Sequence, residues 1–294
     1  MSKHSQTDHK NNAFSETTKF EFAGRRIESS SPLIMGILNL TTDSFFEESR
    51  VVNEKNILQK AGEMLAQGAD IIDIGAISSR PGATFVDEET ELDRLVPVIK
   101  LLVKQFPEAL FSVDTFRVNV AKKVIDAGAF MINDISGGIF DPEMIDFIGT
   151  ENVPYVMMHM HGKPLNMQVN PLGVENETEI FRFFDNQTKT FLSKGAQQLV
   201  IDPGIGFGKT LDLNYKILAG LKEYQRFSFP ILIGISRKSL INMVLDTTPA
   251  EALNGTTVLN TLALMQGANI LRVHDVKEAV EVRKLFEKFV RSER

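Results

Sequence analysis

Eight short apolar segments, separated by segments with helical periodicity, are the feature that most restricts how this chain can fold. Each apolar segment is rich in Ile, Val and Leu and does not alternate with polar residues, which is typical of strands buried on both faces of a parallel sheet. The apolar segments are Leu33–Leu38, Ile71–Ile74, Leu110–Val113, Phe130–Ile132, Tyr155–Met158, Leu199–Ile201, Ile231–Ile235 and Ile270–Val273.

The alternation of apolar and helical segments predicts an α/β fold, a (β/α)8 TIM barrel. Several helical segments end in Gly-Ala, and a glycine just after a helix is a common stop signal. A doubly wound open sheet is the alternative, but it usually has fewer units and a glycine fingerprint after its first strand, which is absent here. Helical patterns cover, for example, Asn53–Gln67, Glu88–Gln105, Val118–Ala127, Glu177–Lys194, Leu211–Leu221, Glu251–Gln266 and Asp275–Arg291.

Two segments precede the predicted barrel in the chain. Residues 1–18 are polar and contain no apolar core, so they are predicted to be a disordered tail and not a secretory signal. Lys19–Ser30 alternates apolar and polar residues around Ala23-Gly24, which predicts a short β-hairpin before the barrel. No linker is evident after that point, so residues 19–294 are predicted to form one domain.

Composition excludes several classes of function. A net charge of −6 argues against nucleic acid as the main partner. The chain has no cysteine, which excludes disulfides, thiolate metal sites and a cysteine nucleophile, and agrees with a cytoplasmic location. No apolar run reaches the length needed to span a membrane, so no membrane partner is expected.

Polar residues stand at the end of every predicted strand. In a TIM barrel the carboxyl ends of all strands meet at one rim, and active sites lie at that rim. The sequence therefore predicts a site built from the polar strand ends, which are Asn39, Asp73, Asp114, Asn133, Asp134, His159, Asp202, Ser236, Arg237, Lys238, Arg272 and His274.

The segment from Asp202 to Lys209 (DPGIGFGK) is the most distinctive of these strand ends. It fits neither a phosphate-cradling loop, which would need glycine at Pro203, nor the dinucleotide fingerprint, because one residue separates its last two glycines. Glycines at alternate positions allow the backbone to approach a bound molecule. The alternative is a tight strand-to-helix turn with no ligand.

Two groups of rim residues suggest two parts of one ligand. Asp114, Asn133 and Asp202 offer mostly hydrogen-bond acceptors, which suits a flat heterocycle with an amino-amidine edge. Phe207 and Met158 could pack on the faces of such a ring.

The second group is basic and follows the last two strands. Lys238, Arg272 and His274 suit a phosphate, and phosphate sites in TIM barrels are often built there. Asn39 could add an oxygen ligand for a magnesium ion carried by that phosphate.

Other polar residues near the rim are predicted to have structural roles or are left open. For Asp73 we expect a role such as a helix cap. His159 and His161 lie two apart, as in some metal sites, but packing or hydrogen bonding is favoured because no third ligand is near. Asp134 and Asp275 are left unassigned.

With these residues in place, the chain resembles the dihydropteroate synthase family over about Ile34 to Glu281. The individual motifs are short, but their order and spacing are specific. They are Met35–Asn39, Asp43–Phe45, Ser79–Gly82, Ser112–Thr115, Ile132–Asp134, Met158–Met160, Asp202–Lys209, Ser236–Ser239 and Arg272–Asp275.

The resemblance implies a transferase of folate biosynthesis, a family blocked by sulfonamides. Its members condense 6-hydroxymethyl-7,8-dihydropterin diphosphate with 4-aminobenzoate, giving 7,8-dihydropteroate and diphosphate. They are usually homodimers and use Mg2+. We expect a dissociative substitution, because the aromatic amine is a neutral nucleophile and departure of diphosphate is the difficult step.

The resemblance also implies residue roles. Pterin binding is expected at Asp114, Asn133, Met158, Asp202 and Lys238, and Phe207 joins this set because it could pack on the ring. Diphosphate binding is expected at Asn39, Arg272 and His274, with Asn39 also a magnesium ligand. Aminobenzoate binding is expected at Phe45, Ser79, Arg80, Pro81 and Ser239. The catalytic residues implied are Asp114, Lys238, Asp43 and Arg80.

The chain departs from the family pattern in two loops. Thr42 stands where proline is usual, and Ala76–Ser79 replaces a Gly-Glu-Ser-Thr segment. We therefore expect altered aminobenzoate or sulfonamide affinity before any loss of chemistry. Two other functions remain open, a methyltetrahydrofolate-binding methyltransferase domain and a catalytically inactive pterin-binding protein.

Overall fold

Eight parallel strands form one sheet, and an antiparallel hairpin precedes them in the chain. The computed structural model describes residues 17–40, 50–76 and 85–292. The hairpin consists of β1 (Thr18–Phe22) and β2 (Arg25–Ser29). The sheet strands are β3 (Leu33–Asn39), β4 (Ile71–Gly75), β5 (Leu110–Asp114), β6 (Met131–Asp134), β7 (Tyr155–Met158), β8 (Leu199–Asp202), β9 (Leu232–Ile233) and β10 (Ile270–Val273).

Helices follow the strands on the outside of the sheet. Two short helices, α4 and α7, lie outside the helical segments given above as examples. The α-helices of the described residues are α1 (Arg50–Gln67), α2 (Glu88–Gln105), α3 (Val118–Asp126), α4 (Glu143–Glu151), α5 (Glu177–Ser193), α6 (Leu211–Ala219), α7 (Ser239–Leu245), α8 (Leu253–Met265) and α9 (Val276–Ser292).

The strands run in the order β8-β7-β6-β5-β4-β3-β10-β9, with parallel pairing throughout. A parallel bridge between Ile201 and Ile231 connects β8 to the chain just before β9, so the sheet closes on itself. The predicted (β/α)8 TIM barrel with an N-terminal hairpin is therefore confirmed.

Alternation along each strand divides the apolar residues into two sets. Ile72 and Ile74 of β4, for example, face the surrounding helices and belong to the larger core. Ile71 faces the inside of the barrel, in a buried layer that also holds Leu33, Met35, Leu110, Met131, Val156, Val200, Leu232 and Ile270. The barrel interior is thus filled with side chains at its N-terminal end.

The hairpin covers that apolar end of the barrel. Phe20 of β1 is 1% exposed and packs against the inner layer. Arg25 donates to the carbonyl oxygens of Gly128 and Ala129, just before β6, and the Glu21 amide donates to Gln198, just before β8. The hairpin therefore closes the end opposite the predicted site.

The predicted boundary of the N-terminal tail needs one correction. Thr18 begins β1 and is buried, so the tail does not extend to residue 18. The rest of that prediction, residues 1–16, lies outside the described part of the chain. Among the described helices, none is both long enough and apolar enough to cross a bilayer.

Candidate active site

The inner face of the barrel changes from apolar to polar along the strands. Every second residue of a strand points inward. One step of two residues beyond the apolar inner layer leads to Asp73, Ser112, Asn133, Met158, Asp202, Gly234 and Arg272, and a further step leads to Gly75 and Asp114. Strand alternation thus directs the polar groups to one place at the C-terminal end.

Asp73, Asp114 and Arg272 form a network of charges across the barrel. The Arg272 Nε donates to Asp73 Oδ2 at 2.7 Å, and its Nη2 donates to Asp114 Oδ2 at 3.2 Å. Asn133 Nδ2 donates to the same Asp73 oxygen at 2.9 Å. The prediction that Asp73 has a role such as a helix cap is therefore wrong, because its side chain lies inside the barrel and is 0% exposed.

A small pocket brings together seven residues that the sequence predicted. Its cavity volume is about 10 Å3, roughly the space of one water molecule. The side chains that line the pocket therefore leave little free space between them in this arrangement. The lining residues are Asp114, Asn133, Ile135, Met158, Asp202, Phe207, Gly234, Lys238 and Arg272, of which Ile135 and Gly234 were not predicted.

Lys238 covers one side of this pocket. Its Nζ donates to the carbonyl oxygen of Ile205 at 2.6 Å and lies 4.5 Å from the centroid of the Phe207 ring. A cation at that distance interacts favourably with the ring face. Lys238 and Phe207 thus form one wall, which joins the turn after β9 to the glycine segment after β8.

Burial shifts the protonation of the pocket residues towards the neutral forms. It raises the pKa of Asp114 to about 7, although the Arg272 guanidinium acts in the opposite direction. It also raises the pKa of Asp202, against the effects of Lys238 and the Gly204 N–H. Burial lowers the pKa of Lys238 to about 8. The charge of the pocket therefore responds to small changes in pH and to a charged ligand.

The glycine segment after β8 is shaped by its neighbour as well as by the pocket. Gly204 has φ +71° and Gly208 has φ +66°, in the left-handed region. A Cβ at either position would collide with a carbonyl oxygen of the chain after β7, that of His159 or of His161. These two glycines thus permit a close approach of two loops, whereas the sequence pattern suggested an approach to a ligand.

Lys209 fastens these two loops together. Its side chain is buried, and Nζ donates to the carbonyl oxygens of His159, Gly204 and Phe207 at 3.1, 2.9 and 3.1 Å. Burial lowers its pKa to about 7. Asp202, at the start of the same segment, accepts a hydrogen bond from the Gly204 N–H at 2.8 Å. The carboxylate is thus held on a fixed loop.

The other predicted rim residues lie outside the pocket lining. Asn39 ends β3, Ser239 begins α7, and both are exposed. His274 is also exposed, and its backbone N–H donates to Ser236 Oγ at 3.1 Å. Asp43, Phe45, Ser79, Arg80 and Pro81 lie outside the described residues.

The remaining polar residues near the rim have structural contacts. Asp134 accepts hydrogen bonds from the Tyr155 hydroxyl and from Ser136 and Gly138, on the outer face of the sheet. His159 is buried against the ring of Phe183, and burial lowers its pKa well below the ordinary value. Among the described residues no group of three or more His, Asp or Glu could hold a metal ion.

One ion pair joins the last two loops of the rim. Arg237 has φ +57° and donates from Nε and Nη2 to the two oxygens of Asp275 at 2.9 and 2.8 Å. This pair links the chain after β9 to the chain after β10, the strands that carry Lys238 and Arg272. Asp275, left unassigned from the sequence, is therefore a structural partner of Arg237.

Comparisons with known proteins point to one family. The family described as "Pterin binding enzyme" matches residues 35–274. A dihydropteroate synthase of Escherichia coli strain K12 is 40% identical over 266 residues, 90% of this chain and 94% of the relative. One of Synechocystis is 39% identical over 255 residues, 86% of this chain and 88% of the relative.

Solved structures share the fold as well as the sequence. The Yersinia pestis dihydropteroate synthase in a sulfonamide drug complex has a TM-score of 0.85 and 40% identity, covering 94% of this chain and 100% of that chain. The Xanthomonas albilineans dihydropteroate synthase with 4-aminobenzoic acid has a TM-score of 0.84 and 34% identity, covering 93% and 98%. The chain belongs to the dihydropteroate synthase family of pterin-binding enzymes.

Proposed function

We propose that the protein condenses 6-hydroxymethyl-7,8-dihydropterin diphosphate with 4-aminobenzoate, releasing 7,8-dihydropteroate and diphosphate. The observation that carries this proposal is the pocket in which two carboxylates and an amide face two basic side chains within one barrel mouth. Family membership agrees with it, and neither a methyltransferase nor an inactive binding protein is favoured by the relatives.

The acidic part of the pocket would hold the pterin. Asp114, Asn133 and Asp202 present acceptors to the N–H groups of the aminopyrimidinone edge. Met158 and Phe207 would pack against the ring, and Lys238 would contact it after leaving the Ile205 carbonyl. Displacement of Lys238 would also open the space that the small cavity lacks.

The diphosphate would lie beside Arg272 and His274. Arg272 uses its Nε and one terminal nitrogen on the carboxylates. A guanidinium has five N–H donors, so others remain for a phosphate oxygen. Arg272 would therefore bind the leaving group while it stays paired with the barrel carboxylates.

The residues present fit a magnesium ion that the substrate carries. Asn39 Oδ1 and Asp114 Oδ2 lie on either side of Gly75, 3.4 and 3.7 Å from the position a Cβ would take there. Oxygen ligands suit Mg2+, which keeps several waters and is often bound through substrate phosphates. When bound, magnesium supplies neutralisation of charge on the diphosphate. Asn39 would be its ligand from the protein.

The substitution would be dissociative. Carbon–oxygen bond cleavage leaves positive charge on the dihydropterin methylene and ring, and the Asp114 carboxylate would stabilise that charge. Arg272 would stabilise the departing diphosphate. The neutral amine of aminobenzoate then forms the carbon–nitrogen bond and loses a proton, so no covalent enzyme intermediate is needed. Asp43 and Arg80 would take part from the loops after β3 and β4.

Aminobenzoate would contact residues of the segments after β3 and β4 and the first residue of α7. The residues assigned to it are Phe45, Ser79, Arg80, Pro81 and Ser239. Sulfonamides would compete at the same place, as the drug complex of the Yersinia pestis relative suggests.

A homodimer is the proposed assembly, and an apolar surface supports it. Val258, Leu262 and Met265 form one stripe on α8 and are 50%, 53% and 37% exposed. Met243 and Val244 of neighbouring α7 are more exposed still, at 65% and 55%. Exposed apolar side chains gathered on two helices that contact each other are typical of an interface between protein chains.

An assay of diphosphate release tests the proposed reaction. Release is expected to require the dihydropterin diphosphate, 4-aminobenzoate and Mg2+ together, and dihydropteroate should form in equal amount. Release without the aromatic amine, or methyl transfer from methyltetrahydrofolate, would contradict the proposal. Pterin binding without any release would favour the inactive alternative.

A further inference from the structure

Asp73 is the one charged residue of the pocket network for which the proposed chemistry gives no role. It lies on β4, between Ile37 of β3 and Ser112 of β5 in the sheet register. Its side chain is 0% exposed, and Asp73 is not among the residues that line the pocket. A buried carboxylate at this depth is unfavourable unless its partners compensate for the loss of water.

One oxygen of Asp73 receives both of its described hydrogen bonds. Oδ2 accepts from Asn133 Nδ2 and from Arg272 Nε, whereas Oδ1 is buried without a partner among the described residues. Arg272 supplies a positive charge, so the carboxylate acts as an acceptor towards Asn133. The Asn133 amide must then present its nitrogen to Asp73.

The orientation of this amide determines what the pocket offers to a ligand. The oxygen and nitrogen of an asparagine amide lie on opposite arms, so Asn133 Oδ1 is directed away from Asp73, and Asn133 is one of the residues that line the pocket. Together with Asp114 and Asp202, it gives the pocket wall three acceptor groups. An amide at position 73 would not fix this orientation, because it could either donate to or accept from Asn133.

We infer that Asp73 is a positioning residue that holds the Asn133 amide with its oxygen towards the pocket, and that it thereby selects heterocycles whose edge donates hydrogen bonds. This inference rests on the proposed pterin-binding function. It assigns Asp73 to specificity between ring systems, a role separate from contact with the substrate.

Asp73→Asn is the first test, with a ligand pair as the readout. Pterin carries an amino group where lumazine carries an oxo group, so the two differ in donors at one edge. The wild-type protein is expected to bind 6-hydroxymethylpterin at least about 10-fold more tightly than 6-hydroxymethyllumazine in calorimetry. D73N should lower this preference about 10-fold, because Asn133 can then turn its nitrogen to the ligand.

A swap of the two residues separates orientation from loss of charge. In the double variant D73N/N133D the carboxylate at position 133 presents acceptors on both arms, so the preference for pterin should return. Ser112→Ala is the matched control, because Ser112 is inward-facing and lies beside Asp73 in the register, but makes neither bond to its Oδ2. S112A should keep the wild-type preference.

Some outcomes would overturn the inference about Asp73, and another would contradict the proposed function. If D73N weakens both ligands equally, or leaves the preference unchanged, the inference is overturned. If D73N does not fold, the swap variant is compared with N133D alone, in which two carboxylates meet. The swap should then bind pterin at least about 10-fold more tightly than N133D, and equal binding by the two overturns the inference. A wild-type protein that binds neither ligand contradicts the proposed function itself.

Discussion

Replacing Arg272 with alanine should move the pH dependence of pterin binding. Arg272 donates to Asp114 at 3.2 Å, and the side chains of the pair are only 17% and 12% exposed. Burial raises the pKa of Asp114 to about 7, and Arg272 lowers it. Loss of the guanidinium therefore raises the pKa of Asp114 further.

The size of the shift follows from the strength of that contact. A hydrogen bond to a charged group contributes about 1.5 to 3 kcal/mol. Since about 1.4 kcal/mol corresponds to one pKa unit, the shift is about one to two units upwards. A carboxylate is ionised above its pKa, so the wild-type protein should lose pterin affinity as pH falls through about 7. R272A should lose affinity already as pH falls through about 8 to 9.

Calorimetric titration of 6-hydroxymethylpterin, from about pH 6 to about pH 10, measures this directly. Affinities are expressed as the ratio of variant to wild type, so ionisation of the ligand cancels. Arg283→Ala is the control, because Arg283 pairs with Asp70 at 2.6 Å at the N-terminal end of the barrel. A ratio for R272A that does not change with pH, or an equal change in R283A, would refute the reasoning.

Two further substitutions test other parts of the proposal. Asp202→Asn should weaken pterin binding about 10-fold, because a charge-assisted contact is lost, yet leave the melting temperature equal or higher, because the buried charge is removed; a lower melting temperature with unchanged binding would contradict this. Leu262→Lys on the apolar α8 stripe should convert the proposed homodimer to a monomer in sedimentation, whereas Val169→Lys, on the loop after β7, should not; a dimer that persists in L262K would exclude this surface as the interface.

The architecture was accessible from sequence because it depends on local patterns. Each strand is short, apolar and followed by a helical segment, and such repeats have few ways to pack. The strand ends also predicted Asp114, Asn133, Asp202 and Arg272 as neighbours, since all parallel strands end at one rim. The structure brings these four side chains into one pocket.

The location of Asp73 inside the barrel could not be predicted from the polar strand ends alone. Its partner Arg272 lies 199 residues away and becomes a neighbour only when β10 pairs with β3. The alternation rule could have placed it, because Asp73 and Asp114 both stand an even number of residues from an inward-facing apolar residue. Counting along each strand in steps of two would have assigned Asp73 to the interior.

The glycines after β8 show a second limit of sequence patterns. Their spacing predicted a close approach of the backbone, which we assigned to a bound molecule. The carbonyl oxygens of His159 and His161 are those neighbours, and they belong to a different loop. A pattern within one segment contains no information about the path of the next, so this contact needed the folded structure.

The contacts of Lys209 have a consequence for how this protein can change over evolution. Because one ammonium group holds carbonyls from both loops, an insertion in either would displace the other and with it Asp202. The lengths of these two loops should therefore vary together among descendants of this chain. Loop lengths on the opposite side of the barrel should vary independently of them.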